Sequence, residues 1–344
     1  MERRKKIIIS RTDKIGDLIL SIPSFYMVRK MYPDSEIIIL VKTYSYDIVK
    51  NIPYVDRIIK IEDYTKKELL EKIAYFKADT FISLYDDEFI SQLALNSKAK
   101  VRIGPRSKLK SFFVYNKGVI QKRSKSIKNE AEYNLDLIKR MDKKLFEEKY
   151  EINTSIYLEE KNREVADKYY KQNKIFGKTL IVNPFTGGSA KNITDIQYIE
   201  LLKKILFVMP SLTIILITHI SEEERVEKML TEIGRKRVYT FSNGGDLLNT
   251  AAIIEKGTLY LGASTGPTHI AGSLKKLIVG IYPVKKTQSI TRWGVFGTKT
   301  VSYIVVDENN SKENYKNKNF ECYDAKIEKK LIKLIKEKLN EVIS

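Results

Sequence analysis

The chain has 344 residues, of which 43% are hydrophobic, and carries a formal net charge of +19 at pH 7. That length supports two domains, each with its own core. A single cysteine excludes an internal disulfide framework and fits a reducing cytoplasm, and with only two histidines it argues against a structural zinc site. No stretch reaches the roughly 18 apolar residues that a membrane-spanning helix needs. The basic N-terminus has too short an apolar run for a signal peptide and predicts a first strand.

The large positive charge predicts attraction to polyanions, which include nucleic acid, an anionic membrane and a phosphorylated substrate. A second explanation stays open at this stage. The chain is rich in Lys, Ile, Asn and Tyr, as AT-rich genomes encode, so part of the charge can be compositional drift on solvated faces.

The first half of the chain alternates between predicted strands and helices. Lys6 to Ser10 is an apolar strand, Arg11 to Asp17 is a polar loop, and Leu18 to Tyr32 has helical spacing that Pro23 interrupts near its start. Further strands are predicted over 36–41, 57–61, 80–84 and 100–103, and helices over 45–51, 65–76, 89–96 and 129–141, before a connector to residue 157. Repeated βα units predict a doubly wound parallel sheet, which binds ligands at the carboxyl ends of its strands.

Between Lys98 and Lys128, here called the basic segment, the sequence has eleven Lys and Arg residues and no acid. It predicts a flexible surface that receives an anionic acceptor or touches an anionic bilayer, because unbalanced cations repel one another. The alternatives are a nucleic-acid groove or a solvated loop with a few anchoring aromatics. The candidate acceptor-binding cations are Arg102, Arg106, Lys108 and Lys110.

The second half repeats the βα alternation. Strands are predicted over 179–182, 213–218, 238–241, 259–263 and 277–281, and helices over 159–173, 196–207, 222–233, 246–255, 268–274 and 324–343. The expected organisation is α/β, with two Rossmann-like domains facing across a cleft. We expect one domain over 1–160, a second over 161–323, and a C-terminal helix over 324–344 that packs back on the N-terminal domain.

Leu259 to Ala271 is the stretch most informative about function, because a buried strand breaks at Ser264-Thr-Gly-Pro267 and a helix follows. The first N–H groups of a helix lack partners and the helix dipole is positive there, so this turn suits a phosphate. His269 lies in the first turn of that helix. A phosphate pocket here and a carboxylate at Asp17 in the first domain favour a transferase with a nucleotide donor.

Four motifs in order and spacing resemble glycosyltransferase family 9, the bacterial ADP-heptose:lipopolysaccharide heptosyltransferases. They are Gly16 to Pro23, Pro184 to Lys191, Leu261 to Ala271, and Gly280 to Pro283 followed by Arg292-Trp-Gly294. The resemblance covers nearly the whole chain and implies that the domain over 1–160 is acceptor-binding and the domain over 161–323 is nucleotide-sugar-binding. It implies a GT-B fold and an inverting, metal-independent transfer from a nucleotide sugar, with ADP-heptose as the expected co-substrate and no other cofactor.

The resemblance also implies individual roles. Asp17 matches the proposed base, with Asp13 as the rival; Asp13 is otherwise an acceptor-binding candidate. Alternatively, Asp17 merely caps the following helix, and His269 is a packing residue. The residues assigned to the donor are Thr186, Ser189, Lys191, Ser264, Thr265, Gly266, Pro267 and His269, with Glu222 or Glu224 on the ribose unless these two only begin a helix.

The sequence departs from the family pattern at two places. The family usually has Asp-Thr-Gly where this chain has Ser264-Thr-Gly266, which leaves the donor sugar open. It often has Lys-x-Trp-Pro where this chain has Lys191-Asn-Ile-Thr194, a change expected to affect packing only.

The function expected from these observations is transfer of a sugar, heptose first, to a lipopolysaccharide-type or other cell-surface acceptor. The enzyme is expected in the cytoplasm, peripheral on the inner face of the anionic membrane, with no nucleic acid partner. The alternatives are a nucleotide-sugar epimerase of similar architecture and a non-catalytic polyanion-binding protein.

Overall fold

The computed structural model describes residues 3–107, 109–187, 190–306, 320 and 322–341. The chain folds as two compact units, Met1–Tyr157 and Leu158–Ser344. The division therefore falls between residues 157 and 158, where the sequence suggested 160 and 161.

The first unit is built on five parallel strands in the order β3-β2-β1-β4-β5. The strands are β1 (Lys6–Ser10), β2 (Glu36–Val41), β3 (Arg57–Lys60), β4 (Thr80–Ser83) and β5 (Val101–Ile103). The helices are α1 (Ile15–Ile19), α2 (Ile22–Met31), α3 (Lys66–Tyr75), α4 (Glu88–Asn96), α5 (Leu109–Val114), α6 (Glu130–Lys139) and α7 (Lys143–Lys149). The apolar runs of β1 and β2 are buried on both faces, as parallel strands between helices require.

Differences from the sequence-based expectations in this unit have local causes. The predicted loop Arg11 to Asp17 ends three residues early, because α1 begins at Ile15 and takes Asp17 into its first turn. The helical run from Leu18 to Tyr32, which Pro23 is expected to interrupt, is divided between α1 and α2. Pro23 lies in the first turn of α2, where its missing N–H costs no hydrogen bond. The connector before residue 157 contains α7, which Asp142 caps.

The second unit has six parallel strands in the order β11-β10-β9-β6-β7-β8. The strands are β6 (Thr179–Asn183), β7 (Thr213–Thr218), β8 (Val238–Ser242), β9 (Leu259–Ala263), β10 (Leu277–Pro283) and β11 (Val301–Val306). The helices are α8 (Glu160–Gln172), α9 (Asp195–Val208), α10 (Glu223–Ile233), α11 (Leu247–Lys256), α12 (Gly266–Ser273), α13 (Ile290–Trp293) and α14 (Ala325–Glu341). The sequence patterns did not predict β11 or α13.

Both sheets have a point where the strand order reverses. In the first unit β1 is flanked by β2 and β4, and in the second β6 is flanked by β7 and β9. Loops leaving neighbouring strands diverge at such a point, which opens a crevice at the carboxyl ends of the strands. Arg11 follows β1 and Thr265 follows β9, so each residue lies at the switch point of its own sheet.

The prediction that the C-terminal helix packs on the N-terminal domain is wrong. Leu331, Ile335 and Leu339 of α14 lie in the core of the second unit together with residues of β6, β7, β9 and α9. Lys204 of α9 pairs with Glu328, and the Lys178 ammonium donates to the backbone oxygen of Leu339. Helix α14 is amphipathic and buries its apolar stripe against the sheet of the second unit, whose last strand precedes it in the chain.

In the described part of the chain, no helix is both long enough and apolar enough to cross a bilayer.

The position of α14 predicts the effect of truncating its apolar side. Leu331→Ala should lower the free energy of unfolding in urea by about 2–5 kcal/mol, because it leaves a cavity in a closed core. Lys336→Ala, at an exposed position of the same helix, should change it by less than about 0.5 kcal/mol. Equal losses for the two variants would contradict the burial of this helix.

Candidate active site

Arg11 organises the polar end of β1 in the first unit. Its guanidinium is only 2% exposed, yet every donor group has an acceptor. Nε and one terminal nitrogen contact the two oxygens of Asp13 at 2.6 and 2.8 Å, and the same terminal nitrogen lies 2.6 Å from Asp17 Oδ1. The other terminal nitrogen donates to the Leu84 carbonyl oxygen, to Glu130 Oε1 and to Asn134 Oδ1. A buried cation is tolerated only when it is paired in this way.

The two candidate bases differ in how Arg11 binds them. Asp13 is bound through both carboxylate oxygens, a fork geometry that fixes the group. Asp17 accepts from Arg11 through Oδ1, and no described residue donates to its Oδ2. Asp17 thus keeps one oxygen with no hydrogen bond from a described residue, whereas both oxygens of Asp13 already accept from Arg11.

Burial raises the pKa of Asp17 to about 7; Arg11 opposes this increase, and the charges of Asp13 and Glu130 add to it. A carboxyl that exchanges its proton near neutral pH can act as a general base. The guanidinium stays charged, because the three carboxylates raise the pKa of Arg11 although burial acts to lower it.

In the second unit, a chain of hydroxyl groups supports the turn after β9. The Asn183 side-chain amide donates to the Phe185 carbonyl oxygen at 3.2 Å and to Thr265 Oγ1 at 3.0 Å. Tyr260 Oη lies 3.2 Å from Thr268 Oγ1, which donates to the Ala263 carbonyl oxygen. Because a carbonyl only accepts, the contact with Phe185 fixes the Asn183 amide as the donor to Thr265. The Thr268 hydroxyl gives its proton to Ala263, so the Thr265 hydroxyl donates to Thr268 Oγ1 at 3.3 Å.

Gly262 makes room for this arrangement. A Cβ at this position would meet the Tyr260 hydroxyl at 2.8 Å. Tyr260 and Gly262 point to the same face of β9, being two residues apart in a strand. The Leu-Gly-Ala sequence at the end of β9 thus lets a buried tyrosine reach the helix that follows.

Helix α12 begins at Gly266, two residues earlier than expected from the sequence. Thr265 is its N-cap residue, but its side chain makes no capping hydrogen bond, because Asn183 binds it instead. Pro267 lies in the first turn, and Ser264 to Pro267 are partly exposed. The turn therefore presents a hydroxyl and a positive helix end to solvent, which is the environment an anion prefers.

His269 is 3% exposed, and its Nδ1 has no hydrogen-bond partner among the described residues. Burial lowers the pKa of His269 to about 4, so the imidazole is neutral at pH 7. It can therefore contribute a hydrogen bond to a ligand but not a positive charge.

The other donor-site candidates occupy the ends of β6 and β7. Thr186 is partly exposed just after β6, Lys191 is buried at 8% exposure, and Ser189 lies outside the described residues. Glu222 ends a short 3₁₀ turn after β7 and pairs with Arg225 at 3.3 Å, and Arg225 lies over the Phe185 ring. Glu224 is 86% exposed and pairs with Lys228. Glu222 is thus the one of the two acids that lies beside a residue of the β6 loop.

The basic segment is more ordered than a flexible loop. Arg102 donates to the carbonyl oxygens of Ala99 and Val114, and Arg106 donates to that of Tyr115 and lies over the Phe112 ring. Lys108 and the side chain of Lys110 lie outside the described residues. Four large apolar residues of the segment are exposed: Phe112 at 51%, Phe113 at 78%, Ile120 at 72% and Ile127 at 67%. The segment therefore combines positive charge with exposed apolar side chains.

Sequence reasoning missed Arg11, Glu130, Asn183 and Tyr260 as site residues. Arg11 and Asn183 carry a usable signal, because each is a polar residue directly at the end of an apolar parallel strand. Glu130 and Tyr260 carry none, since one looks like an ordinary first-turn acid and the other like a strand aromatic. Among the described residues, no three His, Cys, Asp or Glu side chains are grouped to hold a metal ion.

Two doubly wound parallel sheets, each with polar side chains at its switch point, define an α/β protein whose sheets can bind ligands at the carboxyl ends of their strands. The model of glycosyltransferase family 9 (heptosyltransferase) matches residues 69–324, and the chain belongs to this family. The matched range starts after Asp17, so the match does not include the candidate base.

A protein of Haemophilus influenzae that bears the name of a glycosyltransferase is 28% identical over 306 residues, 84% of this chain and 85% of that protein. The family 9 glycosyltransferase of Veillonella parvula superposes with a TM-score of 0.82 at 16% identity, covering 99% of both chains. The ADP-heptose lipopolysaccharide heptosyltransferase II of Escherichia coli gives 0.79 at 13% identity, covering 99% and 100%. The chain is a glycosyltransferase with the GT-B fold, and the expected family and fold class are confirmed.

The burial of His269 predicts a pH dependence of stability. The pKa of His269 is near 4 in the folded state and about 6.5 in the unfolded state. As the pH falls, the unfolded state therefore binds a proton first. The free energy of unfolding should therefore drop by about 3 kcal/mol more between pH 7 and 4 in the wild type than in His269→Gln.

The measurement is urea unfolding at a series of pH values, and His219→Gln is the matched control because His219 is exposed. The control should keep the wild-type pH slope. A His269→Gln variant with the same slope as the wild type would show that this histidine is not buried neutral.

Proposed function

We propose that this enzyme transfers heptose from ADP-heptose to a lipopolysaccharide-type acceptor, with inversion at the anomeric carbon and without a metal ion. The single observation that supports the chemistry best is the Asp17 carboxyl, buried beside Arg11 with its pKa near 7 and one oxygen left for a partner. Family membership supports the sugar class, and the heptosyltransferase of known structure supports ADP-heptose as the first donor to test.

In the proposed reaction, Asp17 takes the proton of an acceptor hydroxyl as that oxygen attacks the anomeric carbon. The bond between that carbon and the diphosphate oxygen breaks, and the nucleoside diphosphate leaves with the electron pair. Arg11 binds both oxygens of Asp13 and only one of Asp17, so we assign Asp13 to positioning rather than to proton transfer.

We assign the departing diphosphate to the N-terminus of α12. Gly266 offers a backbone N–H and His269 a neutral ring nitrogen, and the Thr265 hydroxyl would turn its proton from Thr268 to the diphosphate, with Thr186, Ser189, Lys191 and Pro267 around them. Fixed donors at a helix N-terminus stabilise a leaving group that gains charge, which is the task a metal performs in other transferases. Glu222 is our candidate for the ribose hydroxyls. Ser264 replaces a family carboxylate and is the position we expect to tune the sugar accepted.

We assign the acceptor and the anionic membrane to the basic segment. Its cations match phosphorylated lipid, and its exposed Phe113 and Ile120 can enter the apolar edge of a bilayer. Such contact would place the enzyme in the cytoplasm on the inner face of the membrane. The cations Arg102 and Arg106 are tied to backbone oxygens, so we expect them to shape this surface, and Lys108 and Lys110 stay candidates for direct contact.

Asp17→Asn should lower the rate of transfer to heptose-deficient lipopolysaccharide by about 10²–10⁴-fold, because the amide takes no proton. ADP-heptose should raise the melting temperature of this variant as much as that of the wild type, since the donor is bound in the second unit. Asp13→Asn is the matched control and should keep more activity than Asp17→Asn.

Retained turnover in Asp17→Asn would move the base to another residue. An absence of any melting shift with ADP-heptose, together with a shift for another nucleotide sugar, would change the donor. Conversion of the donor without an acceptor would favour an epimerase, and salt-sensitive binding of nucleic acid with no donor binding would favour a polyanion-binding protein.

The double variant Phe113→Ser/Ile120→Ser should bind phosphatidylglycerol vesicles about tenfold more weakly than the wild type in a sedimentation assay, because each lost apolar side chain contributes to insertion. Phe207→Ser, at an 87% exposed site of the second unit, is the matched control. Unchanged vesicle binding by the double variant would show that the basic segment does not contact the membrane through these side chains.

A further inference from the structure

We propose that Arg11 and Glu130 are positioning residues that hold the Asp17 carboxylate in place and control when it carries a proton. The inference rests on the proposed function only in taking Asp17 as the base. Neither residue is implied by the motifs that identify the family.

The first observation is the sharing of one buried cation. Three carboxylates, those of Asp13, Asp17 and Glu130, contact Arg11, and Glu130 is 1% exposed. One guanidinium neutralises one of these charges. The remaining negative charge favours a proton on the carboxyl that Arg11 holds least, and Asp17 makes fewer contacts with it than Asp13.

Glu130 also contacts a second cation, which partly neutralises its negative charge. Arg123 of the basic segment binds Glu130 Oε1, the oxygen that also accepts from Arg11. The Nε of Arg123 donates to the Gln121 side chain at 2.8 Å, which directs it toward Glu130. The segment proposed to receive the acceptor is thus joined to the base through three charged contacts, Arg123–Glu130, Glu130–Arg11 and Arg11–Asp17.

Helix α6 also fixes the backbone that carries Asp17. Asn134 lies one turn beyond Glu130, and its side-chain amide donates to the Leu20 carbonyl oxygen at 3.2 Å and to Ser21 Oγ at 3.1 Å. The Ser21 hydroxyl in turn donates to the backbone oxygen of Asp17 at 2.8 Å. Helix α6 therefore positions both the Glu130 charge near Asp17 and the C-terminal end of α1, the helix that carries Asp17.

The groups that face Asp17 come from every neighbouring element. Arg11 and Asp13 belong to the β1–α1 loop, Glu130 to α6, Tyr44 to the 3₁₀ turn Thr43–Ile48, and Tyr85 to the end of β4. The acids surrounding Asp17 raise the pKa of its carboxyl and Arg11 lowers it. Removing the Glu130 charge should therefore lower the pKa of Asp17, and removing the Arg123 charge, which leaves Glu130 less neutralised, should raise it.

The test measures the titration of Asp17 in the whole protein by NMR, using aspartate labelled with ¹³C at the carboxyl carbon and Asp17→Asn to assign the signal. Glu130→Gln should move the Asp17 midpoint down by about one pH unit. Arg123→Gln should move it up. Glu132→Gln is the control, since this acid lies on the same helix, binds the Asn129 backbone N–H and should leave the midpoint unchanged.

Opposite shifts from Glu130→Gln and Arg123→Gln support the proposal, because a loss of packing alone would not give shifts of opposite sign. Unchanged midpoints, or shifts of the same sign, overturn it. Arg123 is partly exposed and is not in the core, so its variant tests the proposal even if Glu130→Gln fails to fold.

Transfer activity separates this inference from the proposed function. If the midpoints shift as expected but Asp17→Asn still transfers sugar, the sharing of charge around Arg11 is supported and Asp17 is not the base. If Asp17→Asn is inactive but the midpoints do not move, the base assignment stands and this inference fails.

Discussion

The reversal of strand order in a parallel sheet is the constraint on which both halves of this enzyme depend. In each unit the first strand lies between neighbours that the chain reaches in opposite directions, so the loops that follow diverge. In the first unit this opens space for Arg11, Asp13 and Asp17 after β1. In the second it brings Asn183, after β6, within hydrogen-bond distance of Thr265, after β9. Each unit thus gathers polar side chains at one edge while its apolar strands close the core below.

The two crevices hold different kinds of side chain, in keeping with the different chemical roles that we propose for them. The first holds an excess of buried negative charge around one guanidinium, and such an excess raises the pKa of a carboxyl toward neutrality. The second holds hydroxyls, a helix N-terminus and a neutral histidine, which offer hydrogen-bond donors. In the transfer we propose, the first removes a proton and the second receives a charged leaving group. Both settings rely on water being kept from the polar atoms, since burial sets the pKa values of Asp17 and His269.

Much of the fold could be predicted from the sequence, because parallel strands are continuous apolar runs and helices repeat at 3.6 residues. β1, β2, β6 and β7 are runs of this kind, and the α/β class followed from their alternation with helices. The same patterns failed for β11, whose residues are partly exposed, and for the partner of α14. The apolar stripe of α14 showed that the helix must pack, but a stripe of leucines and isoleucines fits any apolar surface. Asp17, Thr265 and His269 could be chosen as candidates from their motifs.

The sequence by itself determined the family, the two Rossmann-like units, and the stretches in which the polar residues of each site occur, because these depend on local periodicity and on short motifs. Only the tertiary structure decided which residues act together. Glu130 lies 119 positions from Arg11, and Asn183 lies 82 positions from Thr265. No local pattern reports such contacts, since they exist only when separate strands and helices are packed side by side. The same packing distinguishes Asp17 from Asp13, because a free carboxylate oxygen and the pKa of a buried acid depend on neighbours that are distant in the chain.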